Sequence, residues 1–326
     1  MWPPNGSASA NNILCQNYLP QCVTDAKAAL LEIPRDFQAA YIPKDNLTVN
    51  NFIRTKLPTQ SAELWPIKAT DCYSPNFPTV GWDTLAYHSI PSPQMLRALE
   101  DSLGQAWFDG ARSIIDWRYN DGQEYIPFWA VSYWRRIGVI ITKQTIWLRA
   151  VRWVEKNLRS SQPPDDEMDK ALETVYPMFD HLPWNGPLPY LRRNVTTVDL
   201  APFLGTNWLN DDHINMMVED LNSRVSVDET LRGKVIIAPL VFAHNLRVQQ
   251  LTKGYIEKPK YLDRIIQMVT SNRLERLYFP VNINENHWIT AYINFDKHVF
   301  GYGKLITHTD SYSNSRCCRR LVVKHI

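Results

Sequence analysis

His287 is the residue with the clearest chemical opportunity. It stands where a polar turn, Ile283-Asn284-Glu285-Asn286, enters an apolar run, Trp288-Ile289-Thr290-Ala291-Tyr292-Ile293. An imidazole at the mouth of a strand can offer one ring nitrogen to a reacting group while the strand holds it still. It then needs a partner, usually a carboxylate, to fix its tautomer. Asp310 ends the next strand-like segment and is followed by Ser311-Tyr312. Adjacent antiparallel strands would bring that carboxylate beside His287. A Cys–His–Asp set activates a thiol, because a neighbouring imidazolium favours the thiolate. On the residues alone, a histidine and an aspartate on neighbouring strands read as structural more often than catalytic.

The thiols themselves offer little. The chain has five cysteines, an odd number that suits a reducing compartment better than a disulfide framework. Cys15 and Cys22 are separated by six residues and Cys317 and Cys318 are adjacent, so no set of four zinc ligands emerges. The expectation is therefore unligated thiols, with no metal and no cofactor. His213, His244, His298 and His308 match no catalytic pattern and read as ordinary surface or core histidines.

The elements that would position these residues come from the hydrophobic periodicity. Trp208 to Asn222 reads as a helix that Asn210 or Asp211 can cap, Val235 to Phe242 as a strand, and Tyr261 to Ser271 as a helix. Leu277 to Asn282 and His287 to Phe295 read as paired strands, with a third strand around Val299 to Tyr302. Upstream, Ser92-Pro93 is a helix start, the serine as cap and the proline in the first turn. Leu96, Leu99, Leu103, Trp107 and Ile114 follow at helical spacing toward the turn signal Asn120-Asp121-Gly122. A second helix, from about Pro127 to Leu158, carries Trp134, Ile137, Ile141, Leu148 and Val151 on one stripe, a core stripe rather than a ligand box. Together these predict a helical hairpin over residues 91–159. Residues 1–90, punctuated by proline and asparagine, read as irregular and partly disordered, apart from a short helix around Thr24 to Leu31. Ser160 to Glu167 opens a polar linker over 160–185, and the remaining 186–326 form one α+β domain.

Bulk properties exclude several classes. A net charge of +2 gives no support to a nucleic-acid-coating role. The most apolar run, Ile137 to Leu148, is interrupted by Lys143 and Gln144, so no membrane span is expected. The first residues, Met1-Trp2-Pro3-Pro4-Asn5-Gly6, lack the positive and apolar regions of a secretory signal, which points to an intracellular protein, nuclear or cytoplasmic. Twelve Trp and fifteen Tyr supply rings for cores or for recognition clefts.

Three segments in order resemble one family. Trp208-Leu209-Asn210-Asp211-Asp212-His213-Ile214-Asn215 resembles the opening helix motif of the ubiquitin-like protease family, the deconjugating cysteine peptidases of SUMO- and NEDD8-type modifiers. Tyr278-Phe279-Pro280-Val281-Asn282-Ile283-Asn284-Glu285-Asn286-His287-Trp288-Ile289 resembles its strand–turn–strand with the catalytic histidine followed by tryptophan. Asp310-Ser311 resembles the Asp-Ser that supplies its acid. The resemblance implies an α+β, papain-like peptidase domain with a mixed sheet flanked by helices, preceded by a helical region of unassigned role. It implies His287 as general base, Asp310 as its orienting acid, and Trp208, Asp211 and Trp288 along the channel for a Gly-Gly tail. The implied partner is a SUMO-like modifier or its conjugates, with no membrane and no nucleic acid. From the residues alone, Trp208 reads equally as a core residue and Asp211 as a helix cap.

The chain also departs from that family. The pattern calls for a Gln, then Asp-Cys-Gly opening a long helix several dozen residues past the acid, yet Ile326 stands only 16 residues after Asp310 (326 − 310). Cys317 and Cys318 sit in Ser315-Arg316-Cys317-Cys318-Arg319-Arg320, which reads as a basic, solvated tail, although flanking arginines can lower a thiol pKa. Removing Lys304 to Thr309 would join Gly303 to Asp310 and restore an uninterrupted strand end. The expectation is a C-terminally truncated peptidase domain with no nucleophile, inactive as it stands. The alternative is a catalytically dead modifier-binding module or scaffold.

Overall fold

The computed structural model describes residues 28–61, 68–118, 123–159, 166–189, 191, 195–206, 208–252, 257, 259–271, 273–283 and 287–304. Two compact units divide it, one from Met1–Arg149 with Glu173–Trp184, the other from Ala150–Leu172 with Asn185–Ile326.

In the first unit, short helices α1 (Arg35–Tyr41), α2 (Val49–Arg54) and α3 (Trp82–Tyr87) precede α4 (Pro93–Phe108). Helices thus occupy part of the stretch read as irregular. Thr48 caps α2 by accepting from the Asn51 N–H, and Ser92 caps α4 by accepting from the Met95 N–H with Pro93 in the first turn, as the sequence predicts. Helix α4 stops at Phe108 rather than near Asn120. Gly110 takes φ 99, a conformation glycine adopts freely, and Ile114 belongs to a strand. That strand, β2 (Ser113–Ile115), pairs antiparallel with β1 (Tyr73–Ser74) and β3 (Tyr125–Ile126). A small sheet therefore interrupts the predicted hairpin. Helix α5 (Ala130–Leu158) and helix α6 (Asp166–Met178) follow, each contributing residues to both units. Helix α6 lies inside the span read as linker; its apolar Leu172 is buried, although prolines and charges precede it.

Tryptophans fill this unit's core. Trp134, Trp147 and Trp184 are fully buried beside Phe37, Phe52 and Phe179. Trp184 stacks on Phe52 with centroids 3.9 Å apart and donates its indole N–H to the Lys44 carbonyl at 2.8 Å; its own carbonyl accepts the Trp147 indole N–H at 2.9 Å. A buried polar knot accompanies them. Asp116 meets His88 Nε2 at 3.1 Å and the Arg118 guanidinium, which also donates to the Ser89 carbonyl. Burial opposes the charge on Asp116, but the hydrogen bonds from Arg118 and His88 outweigh it and hold the carboxyl below its usual range.

The second unit is built on a four-stranded sheet, β4 (Val235–Ile237), β5 (Arg276–Ile283), β6 (His287–Asn294) and β7 (Val299–Lys304), in that order. β4 runs parallel to β5 and the rest are antiparallel, a mixed sheet flanked by helices, so the fold is α+β. Alternation along the strands sends Leu277, Phe279, Ala291 and Ile293 to one face. There Phe242 of α8 (Phe242–Thr252) and Leu262 and Ile265 of α9 (Lys260–Thr270) complete a core. Helix α7 (Asp211–Val227) serves the other face, and the Asn222 side chain fixes it to β4 by donating to the Ile237 carbonyl at 2.7 Å and accepting from its N–H. Gly301 is required opposite Tyr292, because a Cβ there would stand 2.4 Å from the tyrosine ring.

Candidate active site

The segment leading into α7 and the start of β6 meet. Trp288, opposite Asn282 in the ladder, donates its indole N–H to the Leu209 carbonyl at 3.1 Å across 79 residues of sequence. This single bond joins the strand that carries His287 to the turn flanked by Trp208 and Asp211. Such a buried or half-buried indole N–H needs a partner, and a carbonyl at the helix entry supplies it.

Helix α7 begins here for a local reason. Asn210 is its cap, accepting from the Asp212 and His213 N–H groups at 3.1 Å each, while His213 Nδ1 accepts from the Asn210 N–H at 3.1 Å. The cap is therefore Asn210 and not Asp211, which lies exposed in the first turn. An acidic residue there faces the positive end of the helix. His213 matters more than its sequence suggested. It closes the capping box edge-on to Phe203, with centroids 5.3 Å apart, and desolvation lowers its pKa against the opposing pull of Asp199 and Asp212. Its three-residue spacing from a capping asparagine was the available signal.

Trp208 is 71% exposed, so it does not fill the core. His287 pairs with Ile283 at the first position of β6 and is half-buried. By alternation it shares a face with Ile289 and Ala291, while Trp288 and Thr290 share the face of α7. β7 places Lys304 directly opposite Ile289. Asp310, Cys317 and Cys318 lie outside the described residues, as do Cys15 and Cys22.

Cys72 is the cysteine among the described residues, and it is not a nucleophile in waiting. Its thiol is fully buried and donates to the Lys68 carbonyl at 3.4 Å. Burial first, then the negative charges of Asp116 and Asp71, push it up to about 12. Among the described residues no group of His, Cys, Asp or Glu is arranged to hold a metal, and no helix is long and apolar enough to cross a membrane.

Residues 207–324 fit the family model described as Ulp1 protease family, C-terminal catalytic domain. The matched stretch opens beside Trp208 and runs past Asp310 and both late cysteines. No curated protein and no solved structure matches the chain.

Proposed function

We propose that this chain, a member of the ubiquitin-like protease family through residues 207–324, recognises the Gly-Gly tail of a SUMO-like modifier with Trp208, Asp211 and Trp288. Family membership makes cysteine-peptidase chemistry the coarse activity. His287 is the base and Asp310 the acid that orients it. In that chemistry a thiolate attacks the carbonyl carbon of the terminal glycine, the amine leaves with a proton from the imidazole, and water resolves the thioester. No metal or cofactor is needed.

The observation that carries this reading is the Trp288–Leu209 hydrogen bond, which brings two motifs far apart in sequence to one place. Two flat indoles, one held by that bond and one exposed, suit a channel that only glycines can traverse. The nucleophile has no assigned residue. Cys317 and Cys318 fall within the matched stretch without the Asp-Cys-Gly setting, so neither is assigned the nucleophile's role and the function proposed is docking of the modifier. The register favours one repair. Deleting Lys304 to Thr309 would move Asp310 to the position opposite Ile289, on the His287 face.

A SUMO-like modifier carrying a C-terminal vinyl sulfone tests the proposal. Saturable binding without covalent adduct is the expected outcome. An adduct mapped to Cys317 or Cys318 would replace the docking module with a live peptidase. Neither binding nor adduct would remove the function altogether.

A further inference from the structure

We propose that the apolar cleft between α7 and the sheet binds a small monocarboxylate with an unbranched apolar body, its head held by Arg276. The cleft has a volume of about 380 Å³, within the roughly 300–1,000 Å³ range of small-molecule sites. Met217, Val218 and Leu221 form its roof at the spacing of one helix face, and Arg276, Tyr278 and Pro280, alternate residues of β5, form its floor. The Asn222 side chain ties α7 to the Ile237 backbone of β4 at 2.7 and 3.2 Å, so roof and floor are fixed to each other before any ligand arrives.

Charge selects the head. Among the described residues, Arg276 is the one charged side chain in the lining, and its guanidinium has no hydrogen-bond or ion-pair partner there. Two nearby carboxylates are committed elsewhere, Glu275 to Lys234 at 2.9 Å and Asp220 to Arg224 at 2.8 Å. A planar guanidinium matches a carboxylate through two parallel hydrogen bonds, and one positive charge balances one negative charge. A phosphate dianion would leave charge uncompensated against apolar walls. Shape selects the body. From Arg276 to Pro280 the floor runs along an extended strand for about 13 Å, a track for an extended alkyl chain. A stable protein partner covers about 1,000 Å² or more, a broad face rather than a single short cleft. Such a ligand needs neither His287 nor Asp310, so its failure would leave the peptidase reading standing.

Isothermal titration of the full chain with decanoate tests the assignment, with decanol as the uncharged match and octanoate as the shorter one. Decanoate should bind saturably, one molecule per chain. Octanoate should bind about tenfold more weakly, having two fewer methylenes to bury. Arg276 is exposed, so Arg276→Gln should keep the melting temperature, weaken decanoate about tenfold and leave decanol unchanged. Leu221, 42% exposed at the rim, gives a second variant: Leu221→Glu sets a carboxylate against the apolar body and should abolish decanoate binding. Equal decanoate affinity in the unaltered chain and Arg276→Gln would overturn the proposal, as would equal affinity for decanoate and decanol. Uptake that never saturates at one per chain would mean detergent-like adsorption and overturn it too. A dimer that decanoate cannot dissociate, with no decanoate bound, would assign the cleft to a second copy instead.

Discussion

Three tryptophans of the first unit and two of the second are placed in opposite ways. In the first, Trp134, Trp147 and Trp184 are fully buried, and the last two have their indole N–H groups satisfied by carbonyls. In the second, Trp208 is 71% exposed, and Trp288 is half-buried with its N–H committed to Leu209. A ring whose polar and apolar parts are both satisfied inside is packing. A ring left in solvent has no such packing role. Abundance of aromatics in the sequence does not separate these roles; the partners of each indole do.

The largest expected effect breaks the packing side of that contrast. Trp184→Ala removes the stack on Phe52 and the bond to Lys44, and should cost about 3–5 kcal/mol in thermal unfolding. Asp116→Asn should follow at about 3 kcal/mol in denaturant titration, because it removes the buried carboxylate that accepts from both the Arg118 guanidinium and His88. A loss below about 0.5 kcal/mol, the range of ordinary surface substitutions, would mean that the knot does not hold the first unit. Trp288→Phe keeps the ring and removes the donor, so the second unit should lose only about 1 kcal/mol. Modifier binding should weaken with it.

The smallest effect concerns His213. Its folded pKa is lowered by desolvation, so the unfolded chain binds the proton more readily. The contribution of this residue is fully present above its unfolded pKa, about 6.5, and is lost as pH falls from there through the folded value. His213→Gln should flatten that part of the stability–pH curve, measured between about pH 7.5 and 5. An unchanged slope would remove His213 from the account of the α7 cap.

Local signals are legible in the sequence and long-range ones are not. Ser92-Pro93 marks the start of α4 because a cap and a first-turn proline act within four residues. The end of α4 is not legible, because Ile114 falls at helical spacing while Gly110 carries the stop. β4 ends at Ile237 rather than Phe242, since Pro239 has no N–H to donate to a ladder, and the following residues wind into α8 instead. Strands β5 to β7 were legible from apolar runs and turn residues. At the site, the motif around Trp208 and the His287-Trp288 pair stood out in the sequence. Their meeting through Leu209 did not, because no periodicity encodes a contact between residues 79 apart. The pairing of His287 with Asp310 falls outside the described residues.

The most direct test of the central claim compares Trp208→Ala with the unaltered chain by isothermal titration against a SUMO-like modifier ending in Gly-Gly. The ring is exposed, so the substitution should leave the melting temperature unchanged and shift stability by no more than about 0.5 kcal/mol. Binding should fall at least about tenfold, the loss of roughly 1.4 kcal/mol expected of one aromatic anchor. Equal affinity in the two proteins, or equal affinity for a modifier lacking its terminal glycines, would contradict the claim that this surface receives the tail.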